Sequence, residues 1–160
     1  ACTAHFGVST FEHDPRVTII YGDAAKSIER IKRAFDLVLI DLTEDNESGN
    51  PIRKPSFIRK CKNLLRSDGV LVMNGASNQE MLDSMFSFTF LYGCYMRTFE
   101  DHYKFVICAD RDLGAEMNKK KIPSWKSVPT RYYSHQKHAS YYSWYSLQQD
   151  YEMEDNQGFW

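Results

Sequence analysis

Two carboxylates, Asp23 and Asp41, each stand directly after a short apolar run, and this placement is the chain's clearest chemical signal. The runs read Arg16-Val17-Thr18-Ile19-Ile20-Tyr21-Gly22-Asp23-Ala24 and Phe35-Asp36-Leu37-Val38-Leu39-Ile40-Asp41. A third, Asp68-Gly69-Val70-Leu71-Val72-Met73-Asn74-Gly75, ends in an amide. A carboxylate at the end of a buried strand has little to pack against. It is well placed for a ligand, because open parallel sheets bind ligands at the carboxyl ends of their strands. Asp23 also reads as the N-cap of the helix that follows. Glu44 sits in an acidic loop, where such a residue is more often solvated surface.

The elements needed to position these groups alternate along the chain. Val17–Tyr21 is expected as a buried, β-branched strand opened by the Asp14-Pro15 turn signal. Ala25–Arg33 follows as a helix with Ile28 and Ile31 on one face. Phe35–Ile40 reads as a second buried strand, and residues 42–55 as a polar loop of a length usually tied to function. Ser56 is expected to cap a helix running to Leu65, with Ser67-Asp68-Gly69 turning it into strand Val70–Asn74. Gln79–Phe90 reads as a helix presenting Met81, Leu82, Met85 and Phe86 inward. Tyr92–Phe99 and Lys104–Ala109 read as an antiparallel strand pair joined by Glu100-Asp101-His102. The pattern divides the chain into an α/β part over 1–109, a linker over 110–130, an aromatic-rich helix over 131–149 and an acidic tail over 150–160.

Bulk composition narrows the classes. The chain has 160 residues, 42% of them hydrophobic and 26% charged, which suits one domain or part of one. A net charge of −1 argues against nucleic acid as a partner. No apolar run approaches the roughly 20 residues of a membrane span. The four cysteines are scattered without a CxxC pair, so buried thiols are the better reading. They point to the cytoplasm or another reducing intracellular compartment. His102 and His138 have no neighbours at metal-ligand spacing, and no metal is expected. The Lys119-Lys120-Lys121 run reads as solvated surface.

Four segments in order resemble the polyamine aminopropyltransferases, the spermidine, spermine and thermospermine synthases. They are Asp14-Pro15-Arg16-Val17 leading to Gly22-Asp23-Ala24; Phe35-Asp36-Leu37-Val38-Leu39-Ile40-Asp41-Leu42-Thr43-Glu44; Phe99-Glu100-Asp101-His102-Tyr103-Lys104-Phe105-Val106-Ile107-Cys108-Ala109; and Arg131-Tyr132-Tyr133-Ser134-His135-Gln136-Lys137-His138-Ala139-Ser140-Tyr141-Tyr142. The resemblance implies a methyltransferase-like Rossmann fold with sheet order 3-2-1-4-5-7-6, of which this chain supplies strands 3 to 7. It implies transfer of an aminopropyl group from decarboxylated S-adenosylmethionine to a polyamine, with no prosthetic group. By resemblance Asp41 is the catalytic acid/base, Asp23 accepts from the adenine amine, and Ala24 lies beside the ring. Glu44 contacts a polyamine nitrogen, Tyr103 flanks the methylene chain, and Asn74 stands among the substrate-binding residues.

The departures shape further expectations. The family's Gly-rich turn, which holds the donor, would precede residue 1, so another polypeptide or segment is expected to complete the sheet, and a homo-oligomer is possible. Glu44 replaces the usual second Asp, Asp45 the usual Pro, and Asn74 the usual Gln. A non-catalytic relative serving as a structural subunit therefore stands as the alternative. A methyltransferase using S-adenosylmethionine is a third.

Overall fold

The computed structural model describes residues 13–41, 54–74, 79–96 and 100–114. It forms two compact units, Ala1–Lys32 and Arg33–Trp160. The expected linker beyond residue 114, the aromatic-rich helix and the acidic tail lie outside the described residues, as do the polar loop over 42–53 and Glu44.

In the first unit, Val17–Tyr21 is not a strand. The segment leaves a turn in which Val17 N donates to Asp14 O at 2.9 Å, and Ile20 and Tyr21 are exposed. Its β-branched composition is that of a strand, but a strand is held by cross-strand hydrogen bonds, and the described residues supply none here. The expected helix over 25–33 is shorter. Helix α1 spans Ala24–Ser27 and tightens into a 3-10 turn at Ile28–Arg30.

The second unit is built on a mixed sheet in the order β1-β2-β4-β3, comprising β1 Phe35–Ile40, β2 Leu65–Asn74, β3 Phe88–Met96 and β4 Asp101–Ala109. Strands β1 and β2 are parallel, and β4 runs antiparallel to both of its neighbours. This is the 4-5-7-6 half of the anticipated order. The pairing of β1 with β2 is irregular, since Phe35 opposes Leu65 while Leu37 already opposes Val70. The surplus of β2 loops out around Gly69, where an added Cβ would lie 3.0 Å from Phe35 O and 3.1 Å from Arg66 N and O. Expected as the turn before a strand, Ser67-Asp68-Gly69 is instead a bulge inside one.

Helix α2 spans Pro55–Asn63 and starts one residue before the expected cap. Lys54 is its N-cap, and Pro55, whose ring pre-sets a helical φ, occupies the first turn, so Ser56 falls inside the helix. Phe57, Ile58 and Cys61 form its buried stripe. Helix α3 covers only Gln79–Met85, because Phe88-Thr89-Phe90, aromatic and β-branched, pairs with Ala109, Cys108 and Ile107 as the start of β3. Of its expected inward residues, Leu82 and Phe86 are buried, whereas Met81 and Met85 are half-buried.

Alternation along the strands separates two faces. Ile40, Leu71, Met73, Leu91, Val106 and Cys108 are buried on the side that, with Ile58, Cys61, Leu82 and Phe86 of the helical segments, makes the core. The opposite face carries Leu37, Leu39, Val70, Val72, Phe105 and Ile107, and only partial cover reaches it. Strand β1 stands at the end of the strand order, and with Leu37 49% and Leu39 65% exposed it is not the buried strand its composition suggests. Lys62 fastens the unit's lower end. Its Nζ donates to Met85 O and, at 2.8 Å, to Asp110 Oδ1, and it sits 4.7 Å from the Phe86 ring centre.

Candidate functional site

Register brings three predicted residues together. Ile40 lies opposite Met73, so Asp41 and Asn74 follow side by side at the carboxyl ends of β1 and β2. Phe105 of β4 pairs with Asn74, which sets Tyr103 two residues further along the same face, beyond the end of β2. The side chains meet accordingly. Asn74 Nδ2 donates to Asp41 Oδ1 at 3.2 Å and to the Tyr103 hydroxyl oxygen at 2.5 Å. Asp41 is exposed, Tyr103 half-buried, and Asn74, 5% exposed, is a buried polar residue in the core. Asn74 Oδ1 is buried without a hydrogen-bond partner among the described residues.

The aromatic side chains next to this cluster are held by one another. Tyr103 meets Phe105 edge-on with ring centres 5.2 Å apart, and Phe105 stacks on Tyr92 at 5.4 Å. Such geometries add about 0.5–1.5 kcal/mol per pair beyond burial. Sequence reading placed Asp41, Asn74 and Tyr103 individually but missed both the hydrogen bonds joining them and the part of Tyr92 and Phe105. The two-residue spacing of Tyr103, Phe105 and Ile107 was the available signal, since it puts all three on one face.

Asp23 belongs to the first unit and caps α1. Its Oδ1 accepts from Ala25 N at 2.8 Å and its carbonyl from Ser27 N at 2.9 Å. Gly22, at φ 140°, supplies the backbone turn that an L side chain rarely adopts. Both Asp23 and Ala24 are exposed.

Neither buried cysteine is a nucleophile candidate. Burial pushes the Cys61 thiol up to about 11, and burial together with the charge of Asp83 pushes Cys108 up to about 12. Both stay protonated at neutral pH, and a thiol is a poor nucleophile beside its thiolate.

Comparison with known proteins gives a consistent result. Residues 4–110 match the family model described as "Spermine/spermidine synthase domain". A polyamine aminopropyltransferase of Clostridium botulinum (strain Alaska E43 / Type E3) is 24% identical over 142 residues, covering 79% of this chain and 49% of the relative. The chain thus spans about half the length of the curated relatives it matches. Among solved structures, a spermidine synthase in complex with the transition-state analogue AdoDATO superposes with a TM-score of 0.69 at 20% identity, covering 82% of this chain and 49% of that one. The spermidine synthase of Thermotoga maritima gives 0.70 at 17% identity, covering 88% and 52%. The common fold is the α/β methyltransferase-like Rossmann fold, present here in part.

Proposed function

From the premise that this chain belongs to the spermine/spermidine synthase domain family, we propose that it carries the amine-acceptor part of an aminopropyltransferase site. The reading rests on one observation above all. Asp41 is an exposed carboxylate at the carboxyl end of a parallel strand, met by an amide donor and, among the described residues, by no cation. A structural acid in a subunit that had lost catalysis would more naturally be paired with Lys or Arg, as Asp36 is with Arg66 at 2.5 Å.

The chemistry follows from the donor, decarboxylated S-adenosylmethionine, whose positive sulfur already activates the adjoining carbon. A deprotonated polyamine nitrogen attacks that carbon with its lone pair. The carbon–sulfur bond breaks, its electron pair returns to sulfur, and a neutral thioether leaves. Asp41 takes the proton that frees the nitrogen and aligns it for attack. Asp23 accepts from the adenine amine with Ala24 beside the ring, and Glu44 holds a distal ammonium. The rings of Tyr103, Phe105 and Tyr92 flank the methylene chain, with Asn74 behind them. The donor's remaining contacts come from another polypeptide or segment that pairs with β1, or from a second copy of the chain. Both substrates are small and water-soluble, which fits the cytoplasm or a similar reducing compartment.

Aminopropyl transfer by the 160-residue chain, alone or with whatever co-purifies, tests the reading. Asp41→Asn should lower it by about 10²–10⁴-fold, the usual contribution of a general base. An Asp41→Asn chain as active as the unaltered one, or no transfer in any preparation, overturns it.

A further inference from the structure

We infer that Asn74 is a positioning residue, linking the Tyr103 hydroxyl to the Asp41 carboxylate so that Asp41 offers its second oxygen to an alkylammonium group. This deepens the acceptor-site reading above and rests on it. The three groups come from three neighbouring strands, and Asn74 stands between the other two. Its amide nitrogen has two hydrogens and meets two acceptors, so its donor capacity is used up. The opposite orientation would turn Oδ1 against the Asp41 carboxylate, which is repulsive. The nitrogen therefore faces Asp41.

That orientation has a cost, because Oδ1 is left buried without a partner among the described residues. An unmet buried acceptor is destabilising, and an apolar side chain of similar shape would avoid it. Polar groups kept against stability are expected at functional positions. Because Oδ1 is closed off from solvent, Asn74 acts on a ligand through Asp41 and not by contact. The far end of the string is fixed as well. Tyr103 is set edge-on against Phe105, and Phe105 is stacked on Tyr92, so the hydroxyl is a fixed post. The bond at Asp41 Oδ1 restricts rotation of the carboxylate, and Oδ2 is the oxygen it presents. The ligand this suits is a protonated amine on a linear aliphatic chain.

Tyr103→Phe separates the hydroxyl from the ring, since it keeps every aromatic contact. Affinity for butane-1,4-diamine, measured by calorimetry on the 160-residue chain, should fall about 3–10-fold in Y103F and about 10-fold in N74A. The double variant should be no weaker than N74A, because both changes cut the same string. In the ligand-free protein, the Asn74 side-chain amide resonances should move in Y103F. Unchanged affinity in Y103F, or a double variant whose loss is the product of the two single losses, overturns the inference and leaves the acceptor-site reading standing. No diamine binding by the unaltered chain overturns that reading and the inference with it. If N74A fails to give a folded amide spectrum, Y103F decides alone, through its affinity and its Asn74 resonances.

Discussion

Asp36 and Asp41 lie five positions apart on one short segment, and their surroundings give them different tasks. Asp36 points out beside Arg66, and this exposed pair is worth at most about 1 kcal/mol. Asp41 follows the last residue of β1 and is met by a buried amide. Sequence alone separated the two, because position relative to the strand end is legible in the pattern of apolar residues. It did not reveal that Asn74 joins Asp41 to Tyr103, since that bond depends on β4 lying beside β2. The cysteines carry a prediction of their own. Their thiols rise in the fold from about 9 to about 11 and 12, so the folded state holds protons that the unfolded chain gives up earlier. The stabilisation is complete below pH 9 and is lost as pH rises toward 12. Denaturant midpoints should fall across that window, and less so in Cys108→Ala measured against its own value at pH 8. Iodoacetamide at pH 8 should label Cys61 and Cys108 at least tenfold faster in denaturant than in the folded protein.

Among the elements, those with local causes were read well and those that depend on a neighbour were not. Strand β1 has the boundaries that its apolar run implies, and the cap of α2 falls two residues before the expected one. Val17–Tyr21 has strand composition without strand pairing, and the end of α3 was misread because Phe88–Phe90 fits a helical stripe as well as a strand. Only pairing with Cys108 and its neighbours decides that segment. Ile58, fully buried on α2, should cost about 2–5 kcal/mol when changed to Ala, seen as a lower denaturant midpoint with unchanged slope. Gly69→Ala should destabilise although it adds one methyl at a buried bulge. Its Cβ would press on the Phe35 carbonyl and on Arg66 backbone atoms, none of which can move without shifting the strands.

At the scale of the molecule, the second unit is a half-sheet with one finished face and one unfinished. The core face is closed by α2 and α3, while Leu37 and Leu39 stand open at the edge. The alternation of strands and helices followed by a hairpin-like pair was legible in the residues, whereas the order 4-5-7-6 was what the family resemblance implied, and the sheet has it. The openness of β1 followed from the same order. Exposed edges of this kind invite pairing. Phe35 N already donates toward β2, so along β1 the amides of Asp36, Val38 and Ile40 face the open edge. A polypeptide bearing a strand and helix that complete the sheet should therefore slow hydrogen exchange there by tenfold or more, while leaving Val106 and Cys108 unchanged. Equal protection throughout would show that it docks elsewhere.

The placement of β4 between β2 and β3 also sets a timetable for synthesis. Strand β2 leaves the ribosome with its pairing to β1 available, yet its other edge must wait for β4, the last strand of the sheet to be made. At about 5–20 residues per second that wait lasts on the order of seconds. During it, β2 and β3 each present an unpaired, apolar edge to the crowded surroundings of the nascent chain. Chains stopped at Met96 should accordingly be recovered as aggregates, and chains continued past Leu113 as folded protein. The strand that places Tyr103 beside Asn74 is thus also the one whose arrival ends the nascent chain's most vulnerable interval.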